Sequence, residues 1–207
     1  MKSTQLIMVL AIAALVASKS VYLKGANPNQ GIAIADQQQP EIYLALETNS
    51  PETTELDQNI LYSLSRRTKN WWTVVDIFVG EKVQNLYSHV ATRRDFEALL
   101  QQLKVMPSSE EALIQAMQRF KDEVEQNKQQ SISGFIITKG TANPSTLAAI
   151  RQICQKLAQI NSTKVHIAII GLSAENRLPM STAVAPLSHH VQFAGTNQQE
   201  WQQLIKF

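Results

Sequence analysis

Ile42-Tyr43-Leu44-Ala45-Leu46, running directly into Glu47-Thr48-Asn49-Ser50-Pro51, is the stretch on which the fold turns. Five apolar residues without alternation read as a strand buried on both faces, and the polar run after them as the loop at its carboxyl end. The period then changes: Leu56, Ile60, Leu61 and Leu64 have helical spacing, up to Arg66-Arg67. Residues 73–79 form a β-branched strand stopped by Gly80, and residues 85–92 a second strand-like stretch after a turn at Gly80-Glu81-Lys82. A gap that short admits a hairpin but no helical crossover, so this pair is expected to be antiparallel.

The alternation continues to the end of the chain. Residues 95–103 place Phe96, Leu99, Leu100 and Leu103 on one helical face. Pro107 interrupts. Ser108 or Ser109 then caps a longer helix, with Glu110 and Glu111 in its first turn, where the helix dipole favours acid. Its apolar stripe is Leu113, Ala116, Met117, Phe120 and Val124. Further strands are expected at 133–138, 165–170 and 191–194. Helices are expected at 144–160 and 198–205, with a helical or irregular stretch reaching Leu187. Buried strands alternating with amphipathic helices predict an α/β domain: a three-layer, Rossmann-like, mostly parallel sheet with one antiparallel edge strand and helices on both faces. Such sheets bind ligands beyond the carboxyl ends of their strands, where strand order reverses. The loops to inspect are therefore 47–51, 106–109 and 139–143.

The whole chain has 207 residues, 44% hydrophobic and 17% charged, with a net charge of +2. That is ample for a core, and it lacks the basic patch expected of a nucleic-acid-binding domain. Residues 1–20 stand apart in composition. Lys2 precedes an unbroken apolar run over residues 6–17, and Val16 and Ser18 fit a signal-peptidase site. This predicts a signal peptide, or a membrane anchor if it is not cleaved. Residues 21–40, with Gly25, Pro28, Gly31 and Pro40, read as a linker, and 41–207 as the folded domain. The expected location is outside the cytoplasm, periplasmic or extracellular, or held to the membrane by the N-terminus, which would be the only membrane contact.

From residue 42 to residue 205 the chain resembles a von Willebrand factor A domain. Members begin with a buried strand ending Asp-x-Ser-x-Ser, and here Glu47-Thr48-Asn49-Ser50-Pro51 follows the first strand. A threonine loop opening an Ala-Leu helix is matched by Pro107-Ser108-Ser109-Glu110-Glu111-Ala112-Leu113. A strand ending Ile-Thr-Asp-Gly is matched by Ile137-Thr138-Lys139-Gly140, and an Ile-Gly strand end by Ile170-Gly171. A small closing strand and helix are matched by Phe193-Ala194 and Glu200-Trp201-Gln202-Gln203-Leu204. The resemblance implies the three-layer fold and a protein-binding role for the loop residues Glu47, Asn49, Ser50, Ser108 and Lys139. Many members also hold a divalent cation there. In this chain Glu47 replaces the first aspartate, Pro51 removes a hydroxyl, Pro107 replaces the threonine and Lys139 replaces the second carboxylate. The expectation is therefore no metal and no cofactor, with Lys139 relieving the charge of Glu47 in the cation's place.

Other candidates are weaker. Cys154, the only cysteine, lies on the stripe Leu147, Ile150, Cys154, Leu157 and reads as a buried core thiol. His89, His166, His189 and His190 have no zinc-ligand spacing. Gly-rich phosphate loops and the Gly-x-Ser-x-Gly elbow are absent. Trp71-Trp72 beside Arg66, Arg67 and Lys69 reads as one core and one half-exposed tryptophan, with a partner surface as the alternative. The functional expectation is a non-catalytic module that binds another protein. The rival is a hydrolase-like α/β enzyme built on Glu47, Ser50 and His189.

Overall fold

In the computed structural model of the protein, residues 41–67, 71–127, 131–160 and 165–205 are described. The readings for 1–20 and 21–40 lie outside them. The elements run β1 (Glu41–Leu46), α1 (Pro51–Ser65), β2 (Trp71–Val79), β3 (Lys82–Ala91), α2 (Arg93–Gln102), α3 (Glu110–Gln126), β4 (Ile132–Ile137), α4 (Pro144–Gln159), β5 (Val165–Ile170), α5 (Ala174–Ala183), a 3-10 turn (Ala185–Leu187), β6 (Val191–Ala194) and α6 (Gln198–Leu204).

They build one six-stranded sheet in the order β3-β2-β1-β4-β5-β6. β1 is parallel to both β2 and β4, and β4, β5 and β6 continue in parallel. Only the edge strand β3 is antiparallel, against β2. Because side chains alternate across a strand, β1 serves two cores. Ile42, Leu44 and Leu46 pack with the apolar faces of α1, α2 and α6, while Tyr43 and Ala45 pack with those of α3, α4 and α5. Both faces are thus covered, which is why β1 shows no polar alternation.

Element boundaries differ from the sequence reading where local hydrogen bonding is tighter than composition suggests. Gly80, in the left-handed region at φ 58°, and Glu81 make a two-residue hairpin turn, so Val79 already pairs with Lys82 and β3 begins three residues early. α2 likewise starts at Arg93. Asp95 is not its first residue but the acid of a capping box, accepting from the Thr92 backbone N–H at 2.7 Å. The stretch up to Leu187, whose spacing admits a helix or irregular chain, forms α5 plus the 3-10 turn, with Pro179 inside α5. Strand order reverses between β1 and β4, so the crevice between their carboxyl ends is where a site is expected.

Candidate functional site

Glu47 leaves β1 with its backbone N–H bonded to the Ile137 carbonyl of β4 at 3.0 Å. Its carboxylate then bridges the two strand ends. Oε2 accepts from Thr138 Oγ1 at 2.6 Å and from the Lys139 backbone N–H at 2.9 Å. Oε1 accepts from Asn49 Nδ2 at 2.6 Å. Bonds to a carboxylate are roughly twice as strong as neutral ones, so Glu47 staples both loops.

Ser50 is the N-cap of α1. It exchanges bonds with Thr53, its backbone N–H donating to Thr53 Oγ1 at 3.0 Å and its Oγ accepting from the Thr53 N–H at 3.3 Å, with Pro51 pre-setting the first turn. Lys139 extends over this cap, and its Nζ donates to Ser50 Oγ at 3.2 Å. The expected pairing of the Lys139 ammonium with Glu47 is therefore corrected: the carboxylate meets the lysine backbone, and the ammonium meets a hydroxyl. The turn needs Gly140, at φ 73°, where a Cβ would come within 2.5 Å of Leu172 Cδ2. The Lys139 carbonyl is held by the Ser173 N–H and Asn176 Nδ2 at the start of α5.

The third loop joins through its backbone. The Met106 N–H donates to the Thr48 carbonyl at 2.9 Å, and Gly80 is sandwiched by Pro107 and Ser109. Ser109, not Ser108, is the N-cap of α3. Ser108 sits beside Gly80 at the end of β2, and its buried hydroxyl has no hydrogen-bond partner. Of the five residues singled out, Glu47, Asn49, Ser50 and Lys139 thus form one connected group, and Ser108 stands one strand away.

Two residues of this end escaped the sequence reading. Thr138 donates to Glu47 at 2.6 Å, a bond as short as that from Asn49. Asp57 of α1 is fully buried, and neither carboxyl oxygen has a partner. Burial, and secondarily the Glu47 carboxylate, push Asp57 well above the ordinary carboxylate range. Its position was legible: Thr53, Asp57, Ile60 and Leu64 recur at helical spacing on the buried stripe.

Elsewhere, Cys154 is buried, and burial lifts its thiol to about 12. Trp71 packs on the core while Trp72 is 38% exposed, with its ring 6.0 Å from that of His89. The Arg67 guanidinium donates to the Ile205 carbonyl at 3.1 Å. His189 precedes β6, at the amino end of the parallel strands, whereas Glu47 and Ser50 lie beyond the carboxyl end of β1. The three residues of the hydrolase reading are therefore not brought together.

No protein-family model matches this chain, and no curated protein does. Solved structures match its architecture. An aerotolerance-related membrane protein from Bacteroides fragilis superposes with TM-score 0.59 at 11% identity, over 79% of this chain and 94% of that one. The VWA domain of SpRpn10 gives 0.56 at 10% identity, over 81% and 94%. A von Willebrand factor type A protein from Catenulispora acidiphila gives 0.53 at 9% identity, over 75% of this chain but 38% of that one. At these identities the likeness speaks for the fold. The six-stranded, mostly parallel sheet with its one antiparallel strand agrees with it: the chain has the fold of a von Willebrand factor A domain.

Proposed function

We propose that this domain is a metal-independent, non-catalytic protein-interaction module, carried outside the cytoplasm, that presents the loops at the carboxyl ends of β1, β2 and β4 to another protein. The fold supports the module type. The observation that carries metal independence is the donor set around Glu47. A divalent cation of the Mg²⁺ or Ca²⁺ kind needs several hard oxygens facing one point. Here both oxygens of Glu47 are engaged by Asn49, Thr138 and the Lys139 backbone, and an ammonium stands 3.2 Å from the neighbouring Ser50 hydroxyl. A second positive charge beside Lys139 would be repelled. The residues present do not fit the cation.

Calorimetric titration with Mg²⁺, Ca²⁺ and Mn²⁺ should show no heat of binding at millimolar metal; a micromolar site overturns this part. A photo-crosslinker at Lys139 should capture a discrete protein partner in the native cell, and one at Val105, exposed in the loop between α2 and α3, should capture the same partner. Capture only from positions at the opposite end of the sheet would move the interaction surface elsewhere. Export rests on the apolar run over residues 6–17 and gains support from the likeness to a membrane protein. Among the described residues no helix is long and apolar enough to cross a membrane. A reporter fused after Asn27 should be active only outside the cytoplasm; cytoplasmic activity would defeat export.

A further inference from the structure

The connections into β2, α2, β4 and β5, residues 66–70, 92–94, 127–131 and 160–164, contain seven Lys or Arg and no Asp or Glu. Three of them lead into the amino ends of parallel strands. The fourth leaves the antiparallel β3 at that same end, because Ala91 pairs with Trp71. Helices that start from the carboxyl ends instead carry acid in their first turns: Glu52 in α1, Glu110 and Glu111 in α3, Glu175 in α5. Positive charge therefore gathers at the amino end of the sheet, although the net charge of the chain is only +2.

The described part of this basic end is exposed. Arg66 and Arg67 follow α1, and Arg93 and Arg94 open α2, all four in contact with solvent. Arg66, Arg67 and Arg94 stand in no ion pair among the described residues, and Arg93 pairs with Glu97. Asp95, the acid in the first turn of α2, is engaged by the Thr92 backbone N–H and hydroxyl. Exposed aromatic rings lie at the same end. Trp72 is 38% exposed and pairs across the sheet with Val90, 41% exposed. Tyr62 has the Arg66 guanidinium 5.8 Å from its ring centre. Arginine, tryptophan and tyrosine together suit a lipid headgroup layer: the rings reach toward the acyl chains, their polar tips stay hydrated, and guanidinium meets phosphate. The course of the chain selects a membrane over an acidic protein. Glu41, the first residue of β1, lies at this end. Residues 1–40 before it contain the apolar run 6–17, then Lys19 and Lys24, and a single acid, Asp36. With that run held in a bilayer, the tether presents this end to the headgroups at an effective concentration of about millimolar, so weak contacts suffice.

We infer that the amino end of the sheet docks on an anionic membrane surface, which turns the Glu47–Lys139 loops away from the bilayer and toward their partner. The inference rests on the reading that residues 6–17 anchor the chain, and the experiment separates the two. Full-length protein is mixed with nanodiscs of phosphatidylcholine alone or with about 30% phosphatidylglycerol, both carrying a headgroup spin label. Retention on the neutral discs reports the N-terminal segment. Its loss defeats the anchor but not the docking, which the anionic discs then show by themselves. On anionic discs the NMR signals of the Trp72 indole and the Val90 amide should broaden, while the Lys139 and Val105 amides stay sharp. Salt at about 1 M, where the Debye length is about 3 Å, should reverse the broadening. Arg66→Gln and Arg94→Gln, at exposed positions without an ion pair, should each lower the ratio of docked to free domain about fivefold. Equal broadening at Trp72 and Lys139, no difference between anionic and neutral discs, or broadening that neither variant reduces overturns the inference. So does a hexaglutamate peptide that shifts Trp72 and Val90 when anionic discs do not, since that face would then take a protein.

Discussion

Glu41 opens β1 fully buried, with its Oε1 lacking a partner. Burial first, then the charge of Glu123 and a hydrogen bond with it, lift Glu41 from 4.5 to about 8. The folded protein therefore holds a proton on Glu41 that the unfolded chain releases near 4.5. The associated stability is complete below that pH and is lost as pH rises through about 8. Urea unfolding should show wild type losing stability between about pH 5 and pH 8. Glu41→Gln, which needs no proton, should flatten that slope and gain about 1–3 kcal/mol at pH 7. An unchanged slope would mean that Glu41 stays ionised. Asp57 has the same sign of shift, so Asp57→Asn should also stabilise at neutral pH and not in acid. At Glu47, replacement by Gln should cost about 1.5–3 kcal/mol through its charge-assisted bonds, with little coupling to Lys139→Gln, because the ammonium bonds to Ser50. A double-mutant cycle measures this; coupling above ~1 kcal/mol would restore a direct ion pair. Sequence placed Glu47 and Lys139 at adjoining strand ends correctly, because hydrophobic runs mark where strands stop. Side-chain direction is set by rotamers and by competing donors such as Thr138, and no spacing rule encodes those.

Elements were the most legible level, since each is written in a periodicity. The stripe of α3 is buried residue for residue, and β1 is apolar because it is central. α5 was not, because Pro179 interrupts its backbone bonding and its buried residues are few, Met180 and Ala183. Two predictions belong here. α6 is held by Trp201, 2% exposed, so Trp201→Ala should cost about 3–5 kcal/mol. Where α3 crosses β4, the Cβ of an alanine at Gly134 would stand 2.6 Å from Phe120 Cε2. Gly134→Ala should therefore destabilise by about 1–3 kcal/mol, and Phe120→Leu should be less harmful in that background than alone. Thermal melts of the two single variants and the double check this; strict additivity would show that the ring simply moves aside.

For the whole molecule, alternation of strand and helix was enough to predict the parallel sheet, and one short turn to predict its antiparallel edge. The strand order was not written locally: β1 pairs with β4, which follows three helices and two strands later. That order has a consequence for biosynthesis. When the chain has been made as far as Asn127, β2 and β3 can lie against one side of β1, but the other side has no partner until residues 132–137 emerge. The half-made sheet then offers a bare, apolar edge, the kind of template on which chains of the same sequence join. A fragment ending at Asn127 should form β-rich oligomers by light scattering and infrared spectroscopy, and a peptide spanning residues 131–137 should suppress them. A fragment that stays monomeric without the peptide would show that β1 does not dock before β4 arrives. The newborn chain is thus expected to be most prone to self-association midway through synthesis, before residues 132–137 emerge to cover β1.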